Sequence, residues 1–178
     1  MNPATVQYRP AQSDAELLQI LELQRANQPA RLSQREMREE GFVTLTHTPD
    51  LLREMHRACP QVVAMAGEQL AGYALCLHPD LRGLVPALSE MFLTYEAHRP
   101  DGGDYRVMGQ ICVHRDYRRQ GHFRGLYHRL REQCAPLPLV TEVAAANARS
   151  LQAHLAIGFE KLAQRRENGV PWEVIVWE

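Results

Sequence analysis

Between Gln110 and Leu126 an apolar run, Ile111-Cys112-Val113, gives way to the basic turn Arg118-Arg119-Gln120-Gly121 and then to His122-Phe123-Arg124, which opens a helix-like stretch. That order suits the capture of a phosphate. The first amides of a helix have no acceptor within the helix and point along the positive end of its dipole. A glycine lets an anion approach the backbone closely. The amides from Arg119 to Arg124 can therefore cradle a phosphate group. From His114 to Arg131 there are six arginines and one aspartate, in a chain of formal net charge -1. A solvated helix face would carry the same charge, and it is the strand, turn and helix context that favours an anion site.

A second constellation lies downstream. Asn147, Ser150 and His154 are spaced i, i+3 and i+7 and share one helix face, beside an apolar stripe of Leu151 and Leu155. A polar stripe bordering an apolar one suits a cleft lining; the plainer reading has Asn147 capping the helix and His154 at the surface. Glu142 interrupts the apolar run Leu139-Val140-Thr141-Glu142-Val143. A lone carboxylate there needs a partner, water or a function, and desolvation would raise its pKa toward that of a useful base. On a half-exposed strand it would simply face outward. Cys112 sits in an apolar strand and reads as an inert core thiol rather than a nucleophile. Gln110 cannot act as a base and is given a positioning role.

The elements that must hold these groups can be read in turn. Thr5–Arg9 is a short strand. Ser13 and Ser33 each begin a Ser-x-x-Glu capping box, the second opening a helix that stops at Gly41. Phe42–Thr46 is strand-like. Thr48-Pro49 starts a helix carrying Leu51, Leu52 and Met55 inward. Two apolar runs around Gly67-Glu68-Gln69 signal a hairpin. Pro86–Tyr95 is helical and Tyr105–Val113 a central strand, with Val107, Ile111 and Val113 on one face and Met108 and Cys112 on the other. A helix over Gly121–Cys134, a strand over Leu139–Val143, a helix over Ala146–Ile157 ended by Gly158, and two strands around Asn168-Gly169 follow. The expected fold is α/β (α+β): one domain over 1–178, with a mixed, mostly antiparallel sheet flanked by helices and at least one parallel crossover.

Composition narrows the function. The chain has 178 residues, 20 basic and 21 acidic, which excludes a globally basic nucleic-acid binder. Tyr117, Phe123 and Tyr127 alone interleave the arginines, so no nucleic-acid partner is expected. No apolar run approaches a membrane span, and no signal peptide is seen. Cys59, Cys76, Cys112 and Cys134 are separated by 17, 36 and 22 residues. That is no zinc spacing, and reduced, buried thiols in a cytoplasmic protein are expected, with no metal. Val174-Ile175-Val176-Trp177 would leave an exposed edge if it ended the sheet, and a homodimer contact is one way of covering it.

Arg118-Arg119-Gln120-Gly121-His122-Phe123 resembles the R/Q-x-x-G-x-G/A signature of the GCN5-related N-acetyltransferase (GNAT) superfamily. Phe123 replaces the usual small last residue, and Gly125 follows two positions on. Asn147 to Phe159 is similar to the same family's N-x-x-[A/S]-x-x-x-[Y/H]-x-x-x-G-F. The resemblance spans roughly Met108 to Lys161. It implies an acetyl-CoA-dependent N-acetyltransferase with a single acyltransferase domain. Ile111, Cys112 and Val113 would border the pantetheine arm. Arg118, Arg119, Gln120, Gly121, His122, Phe123 and Arg124 would hold the pyrophosphate, with Asn147, Ser150 and His154 lining the cleft. Ribosomal-protein alanine acetyltransferases place a catalytic carboxylate and a tyrosine at the positions of Glu142 and His154. On that basis Glu142 takes the proton of a primary amine, directly or through water, and His154 protonates the leaving thiolate or hydrogen-bonds the sulfur. The acceptor would be a small molecule or a protein N-terminus. Glu36, Glu39 and Glu40 either attract a cationic amine or form the wet face of a helix. A non-catalytic acyl-CoA sensor of the same fold is the alternative.

Overall fold

The computed structural model describes residues 5–99 and 102–178. Seven strands form one sheet: β1 (Val6–Pro10), β2 (Val62–Ala66), β3 (Gln69–Leu77), β4 (Arg106–Val113), β5 (Leu139–Ala144), β6 (Glu160–Glu167) and β7 (Val170–Trp177). Their order is β1-β2-β3-β4-β5-β7-β6, antiparallel except between β4 and β5. The parallel pair is joined by the helix α5, as a crossover connection requires. One face is covered by α1 (Asp14–Ala26), α3 (Pro49–Ala58) and α4 (Ser89–Ala97), the other by α5 (His122–Cys134) and α6 (Ala148–Leu155); α2 spans Gln34–Glu40. Among the described residues no helix is long and apolar enough to cross a membrane.

The helix starts follow the local chemistry. Ser33 and Glu36 close a full capping box on α2, and the Thr48 hydroxyl accepts from the Leu51 amide ahead of Pro49. At α1 only half of the expected box forms. Ser13 accepts from the Glu16 amide, but the Glu16 carboxylate is drawn away to Arg9 and the Gln12 amide.

Three differences from the sequence reading bear on the site. Residues 42–47 pair with no strand; the segment is fixed by Val43 N–H to the Asn27 carbonyl and by Gln110 Nε2 to the Leu45 carbonyl. In β4 the pairing passes from Leu75↔Gln110 to Cys76↔Met108, so Gly109 is the extra residue of a bulge. The bulge inverts the alternation beyond it. Val107 and Cys112 share one face, while Met108, Ile111 and Val113 share the other, correcting the expected grouping. Finally, Val174–Trp177 lies on β7 between β5 and β6, with Val174, Ile175 and Val176 paired on both sides, so it does not form a sheet edge.

Candidate active site

The parallel contact between β4 and β5 is short. Only Arg106↔Leu139 and Val107↔Val140 are paired, after which the strands separate. The gap so formed is lined by Met108, Ile111, Thr141, Glu142, Ser150, His154, Trp172 and residues 42–45, and encloses about 70 Å³. It adjoins a larger cleft of about 370 Å³ that reaches the basic turn, with Val43, Ile111 and Ser150 on the walls of both.

The turn has the geometry its residues suggest. Gly121 stands at the N-cap of α5 with φ +86°, in the left-handed region that glycine alone adopts cheaply, and Arg119 shares that region at φ +62°. The helix has no side-chain cap. The first amide of the turn with an acceptor is Gly125 N–H, on the Gly121 carbonyl; those of Arg119 to Arg124 have none among the described residues. A Cβ on Gly121 would meet nothing within 4 Å, so the backbone there is open to approach. Phe123 does not obstruct it. Its ring packs 5.1 Å from Tyr127 and 5.2 Å from His154 (centroid to centroid), forming a wall of the cleft. Gly125 has a separate purpose: a Cβ there would lie 2.3 Å from Tyr8 Cζ. Tyr8 crosses α5 at that point to reach His122 Nδ1 at 2.7 Å. The His122 ring is therefore buried against Tyr8, and only its backbone amide belongs to the turn.

Three arginines of the turn are paired with acids of α2. Glu40 pairs with Arg119 at 2.7 Å and Arg118 at 3.4 Å, and Glu36 with Arg115 at 3.2 Å. Arg118 also donates to the Val113 carbonyl and to Asn27. Glu39 pairs locally with Arg35, whereas Glu36 and Glu40 reach the turn. They are counter-ions to the turn. Arg124 and Arg149 also line the cleft, with no acidic partner among the described residues. Gln120 turns back, its amide donating to the Asp116 carbonyl.

Asn147 caps α6 by accepting from the Ser150 amide, while its Nδ2 donates to the Phe42 carbonyl at 3.2 Å. It ties residues 42–47 to the helix. His154 is 2% exposed and enclosed by Phe123, Tyr127 and Phe159. Its Nδ1 lies 2.7 Å from the Ser150 carbonyl, so the neutral ring carries its proton there and Nε2 is bare, buried and unpartnered. Burial pushes its pKa down to about 4, which the bond to Ser150 only partly offsets. At neutral pH this ring accepts a hydrogen bond and has no proton to give on the Nε2 side.

Glu142 follows Val140 in the strand alternation and faces the α1, α3 and α4 side; His154 lies on the α5 and α6 side. The two are on opposite sides of the gap. Glu142 is held by one guanidinium edge: Arg165 Nε and Nη2 each donate at 2.8 Å, while Nη1 reaches Glu167 at 3.0 Å and the guanidinium lies over the Trp172 ring. Burial pushes the carboxyl above its ordinary value, and the Arg165 pair pulls it part of the way back. Cys112 is buried and its thiol is pushed up to about 12, the state of an inert core sulfur.

Sequence reasoning missed the polar network beneath the gap. Gln110 Oε1 accepts from Tyr73 Oη and Gln24 Nε2, both at 2.6 Å, and Gln24 Nε2 also contacts His47 Nδ1 at 2.8 Å. Burial holds His47 near a pKa of about 4, hence neutral. The signal was Gln24, an amide at i+3 from Leu21 on the apolar stripe of α1. Arg165 left no comparable trace, since its partner is 23 residues away.

The sequence matches the family model for the acetyltransferase (GNAT) family over residues 17–159. The chain therefore belongs to the GNAT acetyltransferases. No curated protein matches it in sequence. Among solved structures it is similar to the ribosomal-protein-S18-alanine N-acetyltransferase from Escherichia coli, with a TM-score of 0.65, 13% identity and coverage of 97% of this chain and 93% of that one. A putative acetyltransferase of the GNAT family from Desulfovibrio desulfuricans gives 0.65 at 16% identity over 98% and 99%. Naa50 of Arabidopsis thaliana, in complex with the bisubstrate analogue CoA-Ac-MVNAL, gives 0.63 at 12% over 97% and 98%. At these identities the likeness is one of fold.

Proposed function

We propose that this protein is an acetyl-CoA-dependent N-acetyltransferase that moves an acetyl group to a primary amine by direct attack on the thioester. The observation that carries the proposal is the run of unpartnered amides from Arg119 to Arg124, opening onto a cleft that leads to the gap between β4 and β5. The fit is chemical: backbone donors and Arg119, Arg124 and Arg149 suit a pyrophosphate, and Ile111 and Val113 give a narrow apolar wall for the pantetheine arm. Naa50 and the NatC complex were solved with coenzyme A or a coenzyme A conjugate and peptide, which supports a peptide or protein N-terminus as one acceptor class.

The two sides of the gap divide the labour. The thioester side holds His154, whose bare Nε2 accepts a hydrogen bond from the product thiol. The thiolate takes its proton from water, because the ring has none to offer there. The opposite side holds Glu142, raised by burial toward the pH at which an ammonium group must lose its proton, which it takes directly or through water. A backbone amide of β4 near Ile111 or Cys112, beyond the last pair with β5, stabilises the oxyanion. We place this chemistry in the cytoplasm, where four buried free thiols stay reduced.

The test is thiol release from acetyl-CoA against a panel of small amines and peptide N-termini. Glu142→Gln is expected to reduce turnover by about 10²–10⁴-fold. Tight coenzyme A binding with no acceptor anywhere in the panel would favour the sensor reading instead.

A further inference from the structure

Cys59, Cys76 and Cys134 are far apart in sequence and meet in space. Cys59 caps the C-terminus of α3, Cys76 lies on β3 and Cys134 is the last residue of α5. Their sulfur atoms all lie within 4.8 Å of one another, and Cys76 Sγ and Cys134 Sγ are 3.9 Å apart. All three are buried. We propose that they form a three-thiolate site for a thiophilic closed-shell metal ion, Zn(II) or Cu(I).

The metrics fit. At a metal–sulfur distance of about 2.3 Å, three thiolates around one ion stand roughly 4.0 Å apart. The Cys76–Cys134 separation already matches, and Cys59 needs to close by at most about 0.8 Å. Thiolates are the ligands that select these ions over hard cations. The surroundings fix the ligands in advance. Gln61, fully buried, donates from Nε2 to the carbonyls of Cys59 and Cys76 and accepts the Cys76 amide on Oε1 at 2.8 Å. One side chain thus locks two ligand backbones. Gln133 adds a second, independent observation. Its Nε2 bonds the Pro60 carbonyl at 2.7 Å and lies 3.8 Å from Cys59 Sγ, which leaves Oε1 buried with no partner. Four-coordinate zinc would take its fourth ligand from water or, after rotation of its amide, from Gln133; three-coordinate Cu(I) needs no fourth. Three thiolates on either ion leave a net negative charge, and the Arg106 guanidinium acts electrostatically on both Cys59 and Cys134.

Binding replaces three S–H protons by one ion, so uptake of Zn(II) releases up to three protons and involves no redox step. The site is at the C-terminal end of α5, about 18 Å along the helix from the phosphate turn at its start. It clamps α3, β3 and α5 together and takes no part in transfer.

The experiment is anaerobic titration of the reduced, chelator-treated protein with Zn(II), and separately with Cu(I), reading bound metal per chain, protons released and the X-ray absorption edge. One equivalent with three sulfur neighbours near 2.3 Å is expected. A midpoint of urea unfolding that rises with free metal would accompany it. Cys59→Ser, at the margin of the cluster, should abolish stoichiometric binding, whereas Cys112→Ser should leave one equivalent. Binding of neither metal by the folded wild-type protein, fewer than three sulfur neighbours, or equal binding by Cys59→Ser would overturn the proposal. A metal-free protein joined by a Cys76–Cys134 disulfide would overturn it as well.

Discussion

Replacing Arg165 by methionine isolates the pair that sets the state of Glu142. The Glu142 and Arg165 side chains are 5% and 7% exposed, so their interaction is little screened by solvent. Removing one partner of a buried pair leaves an uncompensated charge and costs about 3–5 kcal/mol, a large share of the roughly 5–15 kcal/mol that holds a domain folded. The penalty depends on pH with a definite sign. The Glu142 carboxyl is already above its ordinary value through burial, and without Arg165 it rises further. A group with a raised folded-state pKa supports the fold below its unfolded value and withdraws that support as pH climbs through the folded one. The variant should therefore lie closest to wild type near pH 5 and fall away toward pH 8. Urea unfolding of both proteins at pH 5, 6.5 and 8 measures this, and comparison at each pH cancels titrations they share. Adding Glu142→Gln to Arg165→Met removes the buried charge and should recover most of the loss. A penalty below about 1 kcal/mol at every pH, or a double variant no more stable than Arg165→Met, would refute the reasoning.

Other consequences follow from single contacts. His47 and His154 are both held near a pKa of about 4 by burial, so the unfolded chain takes up their protons first as pH falls. Stability complete above pH 6.5 should drop by roughly 2 kcal/mol per ring by pH 5, and His47→Gln should flatten the measured slope by about half. Gly125→Ala would force Tyr8 off α5 and break its bond to His122, costing about 1–3 kcal/mol; in Tyr8→Ala the same change should be nearly neutral by thermal unfolding. Glu40→Gln releases Arg118 and Arg119 from their competing acid, so calorimetry should show coenzyme A binding several-fold tighter and more salt-dependent.

Much of this was legible in the chain because it is local. The phosphate turn is a contiguous run whose strand, glycine and helix start reveal themselves in order, and caps at Ser33 and Thr48 mark their helices. The mixed sheet with one parallel crossover follows from the alternation of elements. What stayed hidden depends on partners distant in sequence. Glu40 reads as a surface acid until α2 is folded against a turn 79 residues away. Glu142 reads as a lone base until Arg165 comes beside it. The single extra residue at Gly109 reverses which side chains of β4 face the gap, and nothing in the apolar pattern of Val107 to Val113 betrays it. The segment after Gly41 has strand-like composition, yet it pairs with no strand and is held by side chains and by the end of α1 instead. Cysteines without motif spacing converge because three elements end at one place.

The most direct test of the central claim is to follow the backbone amides of Arg119 to Arg124 by ¹⁵N–¹H correlation spectra while coenzyme A is added. Large shifts and slowed hydrogen exchange at these six amides, with smaller ones at Ile111 to Val113, are the expected result. Saturable binding of coenzyme A that leaves the six amides unmoved would contradict the account.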